Sequence, residues 1–170
     1  MSLLAKMGTH LSGIEQLKAM IDGDHRTGME KTLNFRLVEV EDGRVVFEGI
    51  PDEKVYNPIG SVHGGYAATL LDDACGYAVL TKLAPGQTAV TLDLKVAYHK
   101  SMTHKTGPVR AEGRVISIGR RVAFSEARLV DKAGTLYASA SSSVLVANIK
   151  PADTGSQSEE LRAKGKGAAV

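Results

Sequence analysis

Residues 65–84 predict a helix that is apolar nearly all the way round, because Ala, Leu, Val and Tyr occupy most of its positions. A surface helix carries a single apolar stripe, so a helix without a broad polar face must be enclosed by other structure. The segments before and after it alternate apolar and polar residues with the two-residue period of β-strands. The chain therefore predicts an α+β fold, in which about six antiparallel strands curl around one long central helix.

Two strand signals precede the helix, at residues 33–41 and 44–50, and the Asp42-Gly43 pair between them predicts a tight hairpin turn. The apolar phase slips by one residue between Leu37 and Val38, which predicts a bulge or a strand end covered on both faces. Four more signals follow the helix and are expected to form an antiparallel meander, at residues 89–99, 109–117, 121–131 and 135–147. In the first of these four, the alternating apolar residues are Val90, Leu92, Leu94, Val96 and Tyr98.

A short amphipathic helix is expected over residues 12–22. Ser12 followed by Glu15 is a capping-box signature, and Gly23 is a typical stop signal. The sequence thus predicts three parts: an N-terminal helical segment at residues 1–29, one domain at 30–149, and a flexible Gly-, Ser- and Lys-rich tail at 150–170. The end strands of such a sheet stay uncovered, so we expect at least a homodimer.

Composition limits the possible partners. A formal net charge of +2 in 170 residues is far below the basic excess of most nucleic-acid binders. No segment is apolar enough for a signal peptide or a membrane span, so we expect a cytoplasmic protein that binds neither nucleic acid nor membrane. With Cys75 as the single cysteine, no intrachain disulfide and no paired metal-thiolate motif can form. The chemistry considered below requires no metal and no cofactor.

Polar residues cluster just before the apolar helix and on it. Asn57, His63, Gly64 and Gly65 precede the helix or begin it, and an Asp pair follows at 72–73. Free backbone N–H groups at a helix start lie at the positive end of the helix dipole, and glycine lets a substrate carbonyl approach them closely. One such donor is worth about 3 kcal/mol to a transition state that develops an oxyanion.

The carboxylates need an explanation because their surroundings are apolar. We expect burial to raise the pKa of Asp72 and make it a better base, and we expect Asp73 to be structural. Cys75 is an alternative nucleophile, although a small buried cysteine is the commoner role. Asn57 before Pro58 is also a common turn signal. These alternatives stay open on the residues alone.

Further candidates follow the helix. Thr91 has a hydroxyl that either bonds the reacting water or simply favours its strand. Five basic residues near strand ends are candidates for binding phosphates, and Arg120 and Arg121 are the preferred pair; the others are Lys100, Lys105 and Arg110.

The motifs together resemble a known family. They are Asn57, His63-Gly64-Gly65, Leu70-x-Asp72, the strand Val90-Thr91-Leu92-Asp93-Leu94 with Tyr98 after it, and Gly119-Arg120-Arg121-Val122. Over about residues 30–147 the chain is similar to hotdog-fold acyl-CoA thioesterases of the phenylacetic acid degradation subgroup. Lys100 departs from the pattern, since an Arg is frequent there.

The resemblance implies a distinct catalytic role for each of several of these residues. Asp72 is the general base or nucleophile, the Gly64 amide polarises the thioester carbonyl, and Asn57 and His63 orient the reacting groups. Our own candidates for contact with the acyl-CoA substrate, on their residue types and positions, are Gly65, Thr91, Arg120 and Arg121. The resemblance also implies that Asp72 of one subunit meets Asn57, His63 and Gly64 of the other, and dimers are expected to pair into a dimer of dimers.

Two other functions remain compatible with this sequence. One is a non-catalytic acyl-CoA-binding protein on the same fold, and the other is a hotdog dehydratase acting on hydroxyacyl thioesters. The acyl group is not determined by the sequence, so aryl, arylacetyl and medium-chain aliphatic thioesters stay open.

Overall fold

The computed structural model describes residues 10–149, so the tail predicted for residues 150–170 lies outside the described part of the chain. The helices are α1 (Gly13–Asp22), α2 (Gly28–Thr32) and α3 (Gly64–Leu80). The strands are β1 (Phe35–Glu41), β2 (Arg44–Gly49), β3 (Gln87–Tyr98), β4 (Val109–Ile118), β5 (Val122–Asp131) and β6 (Leu136–Asn148). Short 3-10 turns lie at Glu53–Val55 and His104–Thr106. The predicted α+β class with a central helix is confirmed.

The six strands form one antiparallel sheet in the order β1-β2-β4-β5-β6-β3. The predicted meander is confirmed for β4, β5 and β6 but is wrong for β3, which pairs with β6 at the far edge of the sheet. Strand periodicity identifies a strand without identifying its neighbour, and here β4 takes the place beside β2. As a result β1 and β3 are the two edge strands.

The first hairpin follows its sequence signals closely. Gly43 has φ +74° in the turn, where glycine is favoured, and Glu41 pairs with Arg44 across it. The register shifts between Leu37 and Glu39, so the predicted bulge is confirmed.

The sheet curls around α3, which packs against β2, β3, β4, β5 and β6. One side of α3 is buried in the core, including Leu70, Leu71, Ala74 and Ala78. Strand β4 passes so close to the helix that a Cβ on Gly113 would lie 2.0 Å from the Ala74 carbonyl oxygen. Within residues 10–149 no helix is long and apolar enough to cross a membrane.

The N-terminal helices pack against β1, and α1 also contacts α3. The Ser12–Glu15 capping box of α1 is confirmed, and the Gly13 N–H donates to the Leu83 carbonyl at 3.0 Å. Helix α2 is not predicted above, because five residues are too few to show a period; its Thr27–Glu30 capping box is the signal that could have identified it. Helix α2 matters because it buries the Glu30 side chain completely.

Strand β3 contains a bulge that was not predicted from the sequence. Its register with β6 shifts between Thr91 and Asp93, so the expected alternation of apolar residues does not persist along the strand. Val90 and Leu92 are therefore 47% and 56% exposed, while Thr91 faces α3. Because of this shift, Thr91 and Tyr98 contact the same helix although they are seven residues apart.

Candidate active site

The start of α3 presents an open backbone donor. His63 is the N-cap residue, and its Nδ1 accepts a hydrogen bond from the Gly65 N–H at 2.8 Å. This bond assigns the ring proton of neutral His63 to Nε2. The Gly64 N–H has no acceptor among residues 10–149, so it is the donor left free for a ligand at this helix start.

Tyr98 fixes the backbone of Gly64 from the opposite side. Its hydroxyl donates to the Gly64 carbonyl at 3.0 Å, and a Cβ on Gly64 would lie 3.1 Å from the tyrosine ring. Position 64 therefore needs glycine for close packing, in addition to any access that a substrate requires. Tyr98 belongs to the motif that resembles the family, but its contact with Gly64 was not predicted from the sequence.

Asn57 organises the turn that leads into the helix. Its Oδ1 accepts hydrogen bonds from the Ile59 and Ser61 backbone N–H groups, both at 3.1 Å, and its Nδ2 donates to the Ser61 Oγ at 3.0 Å. The turn interpretation of Asn57 thus has direct structural support. The orienting role implied by the resemblance stays a prediction.

A cavity of about 350 Å³ opens beside this helix start. His63, Gly64 and Tyr98 line it together with Lys100, whose ammonium lies 5.6 Å from the centroid of the Tyr137 ring. Lys100 thus brings a positive charge to the cavity that contains the free amide.

Asp72 lies on α3 facing the edge strand β3. The Thr91 hydroxyl donates to the Asp72 Oδ1 at 2.9 Å, and the carboxylate is half-buried. The two residues line a groove of about 160 Å³ between α3 and β3. Asp72 and Thr91 were both candidates from the sequence, and the bulge in β3 brings the hydroxyl to the carboxylate.

Asp73 lines the same groove, and burial raises its pKa to about 7, with further contributions from the negative charges of Glu30 and Asp72. The sequence predicted a raised carboxyl pKa at Asp72 and a structural role for Asp73; the raised pKa found in the structure is that of Asp73. Glu30 uses its Oε2 to accept from the Thr27 N–H, while its buried Oε1 has no partner among residues 10–149.

The structure does not bring the two halves of the predicted site together within one chain. Asp72 follows Gly64 by eight residues of continuous helix, which is about 12 Å along the helix axis. The groove at Asp72 and the cavity at Gly64 have no lining residue in common.

The remaining candidates lie further away. Cys75 is buried, and desolvation raises the pKa of its thiol to about 11, which fits a small core residue better than a nucleophile. Arg120 and Arg121 are exposed in the turn between β4 and β5. That turn lies at the end of the sheet where β3 begins, since Val122 and Val90 both pair with Leu145, so neither arginine adjoins Gly64 of its own chain.

Comparison with known proteins agrees with this architecture. The Thioesterase superfamily model matches residues 59–138. Human acyl-coenzyme A thioesterase 13 is 32% identical over 114 residues, which cover 62% of this chain and 79% of that protein. The chain belongs to the thioesterase superfamily. A 1,4-dihydroxy-2-naphthoyl-CoA hydrolase of Listeria monocytogenes is 27% identical to this thioesterase over 105 residues, which cover 62% of this chain and 84% of that one.

Solved structures extend the comparison to the fold. One protein of the thioesterase superfamily superposes with a TM-score of 0.67 at 32% identity, covering 81% of this thioesterase and all of that chain. A phenylacetic acid degradation-related protein from Ralstonia eutropha gives a TM-score of 0.68 at 24% identity, covering 76% and 98% of the two chains. The predicted hotdog thioesterase fold and the predicted class of enzyme, a thioester hydrolase, are thereby confirmed.

Proposed function

We propose that this thioesterase hydrolyses acyl-CoA thioesters at a site formed by Gly64 of one subunit and Asp72 of another. One observation carries the proposal: α3 has a free backbone donor at its start and, two turns later, a carboxylate held by Thr91. These are the two groups that thioester hydrolysis needs. The human and Listeria relatives, by their names, act on CoA thioesters, which supports the substrate class.

The Gly64 N–H donates to the thioester carbonyl oxygen and stabilises the negative charge that develops there. One donor of this kind contributes about 3 kcal/mol. The Gly65 N–H donates to His63, and the Tyr98 hydroxyl donates to the Gly64 carbonyl. These two hydrogen bonds orient the Gly64 N–H before the substrate binds.

Asp72 supplies the attacking group, and Thr91 fixes its Oδ1 so that Oδ2 is left to act. As a general base, Asp72 takes a proton from water while the water oxygen bonds to the carbonyl carbon. The tetrahedral intermediate then breaks its C–S bond and releases coenzyme A as a thiolate, which is protonated. As a nucleophile, Asp72 displaces the thiolate to form a mixed anhydride, which water then cleaves.

A two-chain site needs a dimer, and β3 is the edge best suited to form it. Strand β3 has twelve residues and exposes Val90, Leu92 and Tyr98, whereas β1 has seven residues and exposes Arg36 and Glu41. Charged, short edges resist pairing and long apolar edges favour it.

The contacts along β3 support a particular register. If two β3 strands pair antiparallel about Lys95, so that Leu94 of one chain lies opposite Val96 of the other, the bulge at Thr91 and Leu92 of one chain lies opposite Tyr98 of the other. Thr91 is hydrogen-bonded to Asp72, and Tyr98 is hydrogen-bonded to the Gly64 carbonyl. The pairing therefore brings Asp72 of each chain towards Gly64 of the other, which forms two sites per dimer. It also places the Arg120-Arg121 turn of one chain at the same end of the joined sheet as Lys100 of the other, where these cations are suited to the phosphates of coenzyme A.

A dimer of dimers has support from the outer face of the sheet. Phe124 on β5 and Ile116 on β4 are 48% and 60% exposed there, and Val90 and Leu92 are exposed on β3 of the same sheet. Apolar residues grouped in this way favour a second protein interface.

Thiol release from a panel of acyl-CoA thioesters, with aryl, arylacetyl and medium-chain aliphatic members, tests the proposal. We expect stoichiometric release of free coenzyme A and free acid with multiple turnovers. Tight binding without turnover would instead indicate a non-catalytic acyl-CoA-binding protein. An enoyl product formed from a hydroxyacyl thioester would indicate a dehydratase.

A further inference from the structure

The groove beside Asp72 is small and mixed in character. Part of its lining consists of small and apolar residues, and the rest consists of residues with hydroxyl or carboxyl groups. The lining residues are Asp72, Asp73, Gly76, Tyr77, Leu80, Thr88, Ala89 and Thr91. Its volume of about 160 Å³ is close to the roughly 150 Å³ of an apolar cavity that holds benzene. An acyl group with about six non-hydrogen atoms beyond the carbonyl therefore fits in this groove.

Among the polar groups of this groove, the Asp73 carboxyl is notable because it accepts no hydrogen bond within residues 10–149. Unlike Asp72, its carboxyl has no hydrogen-bond donor among residues 10–149, although it is half-buried. A desolvated acceptor without a partner is unfavourable, so a donor on a ligand would be bound preferentially there.

The charges around Asp73 are all of one sign. Asp72 precedes it on α3, and the buried Glu30 of α2 acts on it electrostatically. Strand β3 faces the groove with Thr88, Ala89 and Thr91, none of which titrates, and no Lys, Arg or His of the described chain lines it. Tyr77 is uncharged, because burial and the nearby carboxylates raise the pKa of its phenol.

We propose that Asp73 determines acyl specificity, favouring a short acyl group that ends in a hydrogen-bond donor such as a hydroxyl and rejecting one that ends in a carboxylate. The inference rests on the proposed function, because the groove receives the acyl group only if Asp72 acts on the thioester carbon.

The rejection depends on pH in a defined direction. Burial and the charge of Glu30 raise the pKa of Asp73 to about 7, so Asp73 is largely neutral at pH 6 and largely ionised at pH 8. A terminal carboxylate on the acyl group is ionised at both values. Repulsion between the two carboxylates therefore increases as the pH rises through 7.

Three thioesters of equal chain length test this: hexanoyl-CoA, 6-hydroxyhexanoyl-CoA and adipoyl-CoA. For the wild type at pH 8 we expect kcat/KM for the hydroxyl substrate to exceed that for adipoyl-CoA by at least about tenfold, with a smaller ratio at pH 6. In Asp73→Asn the ratio at pH 8 falls at least about fivefold and no longer changes with pH. The control is Asp42→Asn, at an exposed carboxylate paired with Lys82 in the β1–β2 turn, which keeps the wild-type ratios.

Two results overturn the inference while leaving the hydrolase intact. One is hydrolysis of all three substrates with a ratio near one, and the other is an unchanged ratio in Asp73→Asn. If that variant does not fold, the wild type decides alone, since a ratio that stays constant from pH 6 to pH 8 also overturns it. Release of no thiol from these three, with release from aryl or arylacetyl members of the wider panel, also overturns the inference alone. Release of thiol from no member of that panel would contradict the proposed function as well.

Discussion

The start and the middle of α3 both contain groups suited to catalysis, but they differ in how many hydrogen bonds from the same chain fix those groups in place. At the start, His63 and Tyr98 hold the backbone around Gly64 so that one N–H is free and oriented. In the middle, Asp72 has one hydrogen bond, to Thr91, and Asp73 has none within the described chain. The donor half is preorganised by its own subunit, whereas the carboxylate half lies open at the edge strand, where a second copy is expected to bind.

Replacing the carboxylate has the largest expected effect on this contrast. Asp72→Asn keeps the side-chain shape and an oxygen for Thr91 but removes the base, so we expect kcat/KM to fall by about 10³-fold or more. Thiol release by steady-state assay measures it, with a thermal melt to establish folding. A folded variant with wild-type turnover would exclude Asp72 from the mechanism.

Adding a methyl group at Gly64, beside the backbone N–H donor, is expected to have the next largest effect. In Gly64→Ala the new methyl group meets the Tyr98 ring at 3.1 Å, and we expect a loss of about 100-fold in kcat. In a Tyr98→Ala background the same change has space, so the double variant should lose about tenfold less than the product of the two single losses. Fully multiplicative losses would show that Tyr98 does not position Gly64.

Loss of the bond that holds the carboxylate should be milder. Thr91→Val preserves the branched shape and removes the donor to Asp72, so we expect kcat/KM to fall about tenfold. Thr88→Val is the matched control, because Thr88 lines the same groove without bonding Asp72. Equal losses in the two variants would contradict a specific role for Thr91.

The smallest expected effect is on stability and concerns Asp73. Its raised pKa means that the folded chain keeps this proton up to about pH 7, whereas the unfolded chain releases it near pH 4. The wild-type free energy of unfolding therefore loses about 1–2 kcal/mol from this group between pH 4 and pH 7, after allowance for partial exposure. Asp73→Asn should lack that loss in urea titrations at pH 5 and pH 8; parallel pH dependences would place Asp73 in contact with solvent or a cation.

Local patterns predicted the local structure well. The Asp42-Gly43 hairpin, the bulge after Leu37 and the capping box at Ser12 each depend on a few adjacent residues, and the structure confirms all three. Strand β3 lies at the sheet edge and bulges at its middle because of its pairing with β6. The paired residues of these two strands are 40 to 61 positions apart in the sequence. Such long-range pairing leaves no mark on the periodicity of either strand.

The candidate site shows the same division. The residue types around the helix start and the carboxylate pair were identifiable from chemistry, but which carboxyl has the raised pKa was not. Asp73 owes its elevated pKa to burial and to Glu30, and Glu30 lies on a five-residue helix that carries no periodic signal. The contact between Tyr98 and Gly64 likewise requires the fold, since it joins positions 34 residues apart.

A mixed dimer tests the shared site most directly. Asp72→Ala and Gly64→Ala chains with different affinity tags are co-expressed, and dimers that contain one of each are isolated through both tags. If each site uses Asp72 of one subunit and Gly64 of the other, one of the two sites is fully wild type, and the mixed dimer should have about half of the wild-type activity. A mixed dimer that is no more active than its two parents would contradict the account, because every site would then lie within one chain.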